Sequence, residues 1–427
     1  MLPAQIKIIK DTIPILEKGG EGLVKHFYGL LMKHDNVRPL FNQTHQRSGA
    51  QPRALANSIL CYARNIDTLE NLGPLAAQIV NKHVAFQIMP DHYPIVGTCL
   101  LRSIREVLGE ATATDEVLQA WGAAYLQLAD ILIAAEADAY AAIAAAPGGW
   151  SGRRRFRVAS KTAANAAGDV VTFELAPVDG GPVLRAKPGQ YLTIVADSVP
   201  GQPDSVRRNY SLSRSADGSS YCITVKRLNG GALSGWLHDS VAVGDELDIF
   251  PPAGEFVLET PAAASSGCPF TGAGATSGSP RGLLLVSAGV GITPTMAMLE
   301  AATAPSAPAR QTCFMHYTQD ARTHAFADRV AAIANEAAGA SRNGSNVSLF
   351  TAYTAPDATS TAGATATGRI NAEHIAAAIA AAGGADNVDV YVLGPTGFMK
   401  TARELLFAAG VPQANVKHEF FGPSEAI

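Results

Sequence analysis

The chain has 427 residues, 47% of them hydrophobic and 16% charged, with a formal net charge of −4. That length exceeds what one ordinary core organises, so two or three domains are expected. The mild acidity gives no reason to expect nucleic acid or an anionic membrane as partner.

From the N-terminus, Met1 to Gly20 mixes apolar residues with Lys7, Lys10, Asp11, Glu17 and Lys18, so it lacks the unbroken apolar core of a signal peptide. No later run is long and uncharged enough to span a bilayer, and the Ala-rich run near residue 140 is broken by Asp130, Glu136 and Asp138. Five cysteines (Cys61, Cys99, Cys222, Cys268, Cys313) are far apart with no C-x-x-C spacing. They read as free thiols of a cytoplasmic chain, neither a disulfide framework nor a zinc site.

Up to about Ala146 apolar residues recur at spacings of three and four, as in Ile6, Ile9, Ile13 and Leu16, then Leu23, Phe27, Leu30 and Leu31. Pro39, Gly73-Pro74, Pro90 and Pro94 punctuate the pattern, giving an all-α domain over 1–148. On one of its helices lies Asn81-Lys82-His83-Val84-Ala85-Phe86. A lone histidine on an apolar helix is usually a packed or surface residue. Here Tyr28 stands on an early helix, Phe41 follows Arg38-Pro39, and Gln51 and Leu55, four apart, share a helix face. A ligating histidine, a clamping phenylalanine and a polar-plus-apolar pair on the far side are what a haem iron requires to hold oxygen.

The helical pattern stops at Pro147-Gly148-Gly149-Trp150, and the triplet Arg153-Arg154-Arg155 reads as solvated linker. From Phe156 the period is two, with short runs such as Val170–Leu175, Tyr191–Val195 and Tyr221–Lys226 between Gly, Pro and Asp clusters. These predict a small antiparallel β-barrel over 149–260. Within it come Lys187-Pro188-Gly189-Gln190-Tyr191, then Arg208-Asn209-Tyr210-Ser211, then Gly230-Gly231-Ala232-Leu233-Ser234 leading into a helix. Arg208-Asn209-Tyr210-Ser211, lying between two apolar runs, suits a flavin dinucleotide: Arg208 for a phosphate, Tyr210 on the ring, Ser211 at its edge. Taken alone it is equally an ordinary strand edge, and a Gly-Gly pair is most often a turn. Glycines opening a helix let backbone N–H groups reach a phosphate, with Ser234 helping.

Residues 261–281 are mostly Ala, Ser, Gly, Thr and Pro without a core-forming pattern, and read as a surface insertion. Asn335 to Thr367 has similar composition around the short strand Val347–Phe350, and both stretches are expected to leave the site untouched. Over 282–427 the pattern is α/β. Leu283–Ser287 is a buried-strand run, and Gly289-Val290-Gly291-Ile292-Thr293-Pro294 turns it into a helix with Thr293 as cap and Pro294 in the first turn. That helix start would face a pyrophosphate. A second strand, Val388 to Leu393, ends in Gly394-Pro395, and the chain closes on His418-Glu419-Phe420-Phe421-Gly422-Pro423.

The segments His26-Phe27-Tyr28, Leu40-Phe41-Asn42, Gln46–Gly49, Lys82-His83, Phe86–Ile88, Tyr93–Gly97 and Ala120-Trp121-Gly122 resemble the globin domain of flavohaemoglobins. The ordered barrel motifs and the Gly289–Pro294 and Gly394-Pro395 loops resemble the ferredoxin-reductase-like half of the same family, so the resemblance covers the whole chain. It implies haem b, FAD and NAD(P)H as cofactors. His83 would be the proximal ligand of the iron, with Phe41 clamping the porphyrin and Tyr28, Gln51 and Leu55 forming the distal pocket. Tyr93 and Glu136 would bond the far side of the imidazole, making it more basic. Tyr191, Arg208, Asn209, Tyr210, Ser211, Gly230, Gly231 and Ser234 would hold FAD, and Gly289, Gly291, Thr293, Pro294, Gly394 and Pro395 the nicotinamide nucleotide. Phe421 would cover the flavin ring. The family commonly has a cysteine where this chain has Leu393, near the nicotinamide.

The implied activity is nitric oxide dioxygenation: NAD(P)H, more by resemblance NADH, reduces FAD, FAD reduces the haem, and nitric oxide with O2 gives nitrate. A monomer is expected. Arg322, in the loop after the strand Cys313–Tyr317, is a candidate to meet a 2′-phosphate, though exposed loop arginines are commonly unspecific, and NADH against NADPH is left open. Two other readings stay open on residues alone: a haem-based gas sensor or carrier with its own reductase, and a flavin reductase acting on ferric iron or hydroperoxides.

Overall fold

The computed structural model describes residues 1–41, 58–214, 218–259, 280–337, 343–355, 363–419 and 421. The first third is helical, with long helices α1 (Pro3–Leu31), α2 (Gly73–Phe86), α3 (His92–Leu108) and α4 (Asp115–Ala145). They bury one apolar cluster that includes Ile9, Leu23, Phe27, Leu31, Ile104 and Trp121. α4 starts where Thr114 accepts a hydrogen bond from the Val117 N–H, with Asp115 and Glu116 in the first turn to complement the helix dipole. Its buried residues Ala120, Ala124, Ala129, Leu132 and Glu136 run down one face at helical spacing, so a carboxylate continues an otherwise apolar stripe.

β1 (Arg154–Ala163), β2 (Val170–Pro177), β3 (Tyr191–Ala196), β4 (Val206–Ser211), β5 (Tyr221–Lys226) and β6 (Glu246–Ile249) form an antiparallel sheet in the order β4-β3-β6-β1-β2-β5. A bridge between Leu212 and Ile223 joins β4 to β5 and closes the barrel, which abolishes the sheet's edges. Alternate residues such as Phe156, Val158, Phe173, Leu175, Leu192 and Ile194 fill the interior, and α5 (Ala232–Asp239) adds Leu233 and Leu237. Ala253 pairs with Tyr191 at the mouth. The Arg208–Ser211 motif is itself strand β4, where the sequence placed it between two apolar runs. Only Val206 and Ser211 of β4 are buried, so the strand has no apolar signal of its own.

β7 (Gly282–Ala288), β8 (Gln311–Thr318), β9 (Asn346–Tyr353), β10 (Ala366–Thr367), β11 (Val388–Leu393) and β12 (Val416–His418) form a wholly parallel sheet in the order β10-β9-β8-β7-β11-β12. β7 is buried along its whole length, as a strand covered on both faces must be. Helices α6 (Ile292–Ala302) and α7 (Ala327–Ala337) cover one face, and α8 (Ala372–Ala381) and α9 (Thr396–Ala408) the other. β9 is longer than the four-residue strand read from sequence and lies inside the sheet, so this part of the Ala/Ser/Thr-rich segment is structural. The fold is therefore all-α, then antiparallel barrel, then doubly wound α/β. Among the described residues no helix is long and apolar enough to cross a membrane.

Gly282 opens β7 against the end of α8, where a Cβ would lie 1.6 Å from the Ala382 carbonyl oxygen. Gly282→Ala is expected to lower the stability of the α/β domain by about 1–3 kcal/mol through overpacking, read as a lower urea midpoint.

Candidate functional site

Three sets of residues make up the candidate site, one in each domain. In the helical domain, α3 crosses α4 closely because Gly97 faces the Tyr125 ring, where a Cβ would sit 2.6 Å away. The Tyr125 hydroxyl donates to the Tyr93 carbonyl at 2.5 Å. That crossing sets Tyr93 and Glu136 beside the ring of His83 on α2. Glu136 Oε1 lies 2.7 Å from His83 Nδ1, and the Tyr93 hydroxyl donates to the same oxygen at 2.6 Å. Tyr93 Oη is 3.2 Å from His83 Nδ1. Glu136 is 2% exposed, and its other oxygen is buried without a partner among the described residues. Burial and the Glu136 carboxylate push the Tyr93 hydroxyl pKa well above its ordinary value, so Tyr93 stays a donor. With Nδ1 engaged, Nε2 is the imidazole nitrogen left to ligate a metal.

Tyr28, on α1, is buried, and its ring meets Phe41 edge-on at 5.5 Å. Burial is the whole cause of its raised pKa, and its hydroxyl makes no hydrogen bond among the described residues. A buried hydroxyl set beside an aromatic ring is chemistry that fits the wall of a haem pocket. Gln51 and Leu55 lie outside the described residues.

In the barrel, Arg208 and Tyr210 are half-buried and Ser211 is buried on β4. Burial lowers the Arg208 pKa from its ordinary value. Asn209 stands 2.8 Å from the Thr193 hydroxyl. Tyr191 is buried against Ala85 of α2 and Ala253, so it packs in the seam between barrel and helix. Gly230 takes a positive φ of 70° and Gly231 precedes α5. Ser234 braces that loop, accepting from the Leu228 N–H at 3.2 Å and donating to the Gly231 carbonyl at 3.3 Å.

In the α/β domain the chain runs outward from β7 to β9 and β10, then returns to β11 on the other side, so β7 and β11 flank a topological switch point. Ligands of open α/β sheets bind at the carboxyl ends of strands at such a point. The loops there meet closely: a Cβ on Gly291 would fall 2.7 Å from the Leu393 carbonyl, and one on Gly394 would strike the Phe398 ring at 2.9 Å. Pro395 caps α9. Thr293 is not the cap of α6. The short turn Gly289–Gly291 carries the chain into the helix with Gly291 as cap, so Thr293 falls inside the first turn and donates back to the Val290 carbonyl at 3.1 Å. Pro294 is in that turn. The Leu393 side chain is fully buried in the core with Ile292 and Phe256. Phe421 is 48% exposed, and Arg322 is exposed while its carbonyl accepts from the Ala167 N–H.

Several residues at the seam between helix and barrel carried no signal in the sequence. Arg207 donates to the Phe86 carbonyl at 2.7 Å and Thr193 to the Ala85 carbonyl at 2.7 Å. Arg38 forms a two-pronged pair with Asp204 at 2.7 and 2.8 Å. Asn81 donates to Glu255. Lys82 lies between Glu255 and Glu419; burial lowers the lysine pKa, raises that of Glu255 and pushes Glu419 up to about 7. Among the described residues no cluster of three or more metal-ligating side chains occurs.

Family models match three stretches: a globin over 24–132, an oxidoreductase FAD-binding domain over 156–258 and an oxidoreductase NAD-binding domain over 285–404. A flavohemoprotein of Pseudomonas aeruginosa is 48% identical over 425 residues, covering 99% of this chain and 98% of its own. A flavohemoglobin of Malassezia yamatoensis, solved with bound FAD and heme, superposes with a TM-score of 0.79 over 99% of both chains at 24% identity, a likeness of fold. The flavohem-like FAD/NAD-binding domain of a nitric oxide dioxygenase from Vibrio cholerae is 29% identical, covers 63% of this chain and 99% of its own, and has a TM-score of 0.50.

Tyr93→Phe removes a donor to a buried carboxylate and is expected to destabilise the helical domain by about 1–3 kcal/mol, measured by urea unfolding. Glu419 binds its proton more tightly folded than unfolded. Its contribution to stability is therefore complete below about pH 4 and is lost as pH rises through 7. Glu419→Gln should flatten that loss in urea midpoints measured from acid to neutral pH; an unchanged profile contradicts it.

Proposed function

The chain belongs to the flavohaemoprotein family, with the oxidoreductase domains of that family, and from this premise we propose that it is a nitric oxide dioxygenase driven by NAD(P)H. The observation that carries the reading is the Glu136 carboxylate at 2.7 Å from His83 Nδ1, steadied by Tyr93. A carboxylate there strengthens the imidazole as a donor, which favours activating bound oxygen over merely storing it.

His83 Nε2 would ligate a haem iron, Phe41 would pack on the porphyrin, and the buried Tyr28 hydroxyl would donate to a ligand on the opposite side. Arg208 would meet a flavin phosphate, whose charge offsets the burial that lowers its pKa. Tyr210 would line the flavin ring and Ser211 its edge, while the Gly230-Gly231 loop presents backbone N–H groups to the pyrophosphate. Gly291 and Gly394 leave room for a nicotinamide nucleotide between the loops after β7 and β11. Bound in these places, the nucleotide would supply a hydride, the flavin would take it and pass on single electrons, and the haem iron would supply the centre for converting nitric oxide and dioxygen to nitrate. The protein's part is to align the three sites, exclude water from the buried faces and hold the His83 ring in one orientation and tautomer. Leu393 closes the core beneath the nicotinamide loops, so it shapes the floor of that crevice.

Nitric oxide consumption by the haem- and FAD-loaded chain should require both O2 and NADH and yield nitrate. Glu136→Gln should slow it ten- to hundred-fold, the usual scale for losing a ligand's supporting carboxylate, with haem content unchanged. Consumption that proceeds without NADH, or at the same rate in the variant, overturns the reading.

A further inference from the structure

The last four carbonyls of an α-helix have no partner within it. In α2 these belong to His83, Val84, Ala85 and Phe86. The first two are satisfied locally: the Ile88 N–H donates to His83 at 2.9 Å, and the Gln87 N–H and side chain donate to Val84 at 3.2 and 3.1 Å. Gln87 takes a left-handed φ of 55°, which turns the chain away before it can serve the next two. Ala85 and Phe86 are instead met from the other domain, by Thr193 on β3 and Arg207 on β4.

We propose that Thr193 and Arg207 are positioning residues for electron transfer: the barrel caps the helix that carries His83 and so fixes where that histidine stands relative to the flavin strand. The inference rests on the flavin-to-haem path proposed above and adds the device that aligns it. Arg207 is the better anchor because a guanidinium at a helix C-terminus also meets the negative end of the helix dipole. It is held in turn over the Phe250 ring at 5.3 Å. The Thr193 hydroxyl faces two acceptors, the Ala85 carbonyl at 2.7 Å and Asn209 Oδ1 at 2.8 Å, and shares its one hydrogen between them. Asn209 sits between Arg208 and Tyr210. Thus the flavin strand meets the helix end through the shared Thr193 hydroxyl beside Asn209 and directly through Arg207. A shift of the helix end by the length of a hydrogen bond breaks all of them at once.

The test uses the full chain loaded with haem and FAD, reduced anaerobically with NADH in a stopped-flow instrument that reads flavin and haem separately. Arg207→Gln combined with Thr193→Val should slow haem reduction ten-fold or more while flavin reduction stays within two-fold. Deuterium exchange at residues 83–88 should accelerate ten-fold or more, with barrel peptides unchanged. Arg207→Lys, which keeps a cationic donor, should return haem reduction to within three-fold of the parent. Should the double variant fail to take up flavin, Thr193→Val alone carries the test, with a three-fold or greater slowing expected. Haem reduction within two-fold of the parent, unchanged exchange at 83–88, or a lysine variant no faster than the glutamine one overturns the inference. If the parent haem is not reduced by NADH at all, it is the proposed function that fails.

Discussion

The structure depends on how one helix ends. α2 carries the histidine of the helical domain and ends on two carbonyls, those of Ala85 and Phe86, that take their partners from outside it. A buried carbonyl left without a partner costs roughly 1–3 kcal/mol, so two of them weigh as much as a sizeable fraction of a domain's net stability. Among the described residues the helical domain supplies no donor for Ala85 and Phe86, and the barrel does. The helix therefore has its full complement of hydrogen bonds only when the barrel is in place. This ties the histidine's setting to the neighbouring domain more firmly than the linker through Gly148 and Gly149 does.

Much of this was legible in the sequence, for identifiable reasons. The change from a period of three to four to a period of two near Phe156, and then to buried runs such as Leu283–Ser287, follows directly from how helices, barrel strands and doubly covered strands bury side chains. Glu136 was reached through the family resemblance alone, since by its residues it reads as a surface Glu on an Ala-rich helix; the structure buries it in line with Ala129 and Leu132. Thr193 and Arg207 were not legible. Both lie on strands whose pattern says which residues face the barrel interior, but not which outward residues meet another domain. Thr293 misled for a local reason, since a threonine before a proline imitates a cap while the tight turn of Gly289–Gly291 has already begun the helix. β4 was placed only as a motif between two apolar runs, or a strand edge, because its middle, Arg207 to Asn209, has no apolar residue to mark it.

The two seams of the barrel differ in kind. Toward the α/β domain, Val170, Phe256 and Leu258 join the core that contains Leu283, Ile292 and Leu393, the Phe256 ring meets Tyr391 edge-on, and backbone bonds link Phe326 to Ala164 and Ala167 to Arg322. Toward the helical domain the contacts are mostly polar: Arg38 with Asp204, Asn81 with Glu255, Lys82 between Glu255 and Glu419, and the two capping bonds. A shared apolar core resists sliding, because any displacement exposes surface or opens a void. A polar seam is directional and strong only at its seated geometry.

That difference matches what each transfer demands under the proposed function. Hydride passes between rings in contact, so nucleotide and flavin sites gain from two domains that share a core and cannot drift by an ångström. An electron passes between centres that need not touch, so the haem-bearing helix requires only a fixed seat. A seat made of hydrogen bonds can be seated or not, with little in between. Lys82, Glu255 and Glu419 beside it add a charge condition, because desolvation pulls each pKa toward its neutral form while the lysine and the two carboxylates hold one another toward the charged form. The domain farthest from the nucleotide is thus attached by the contacts most responsive to local charge, and the domain that handles the nucleotide by the contacts least responsive to it.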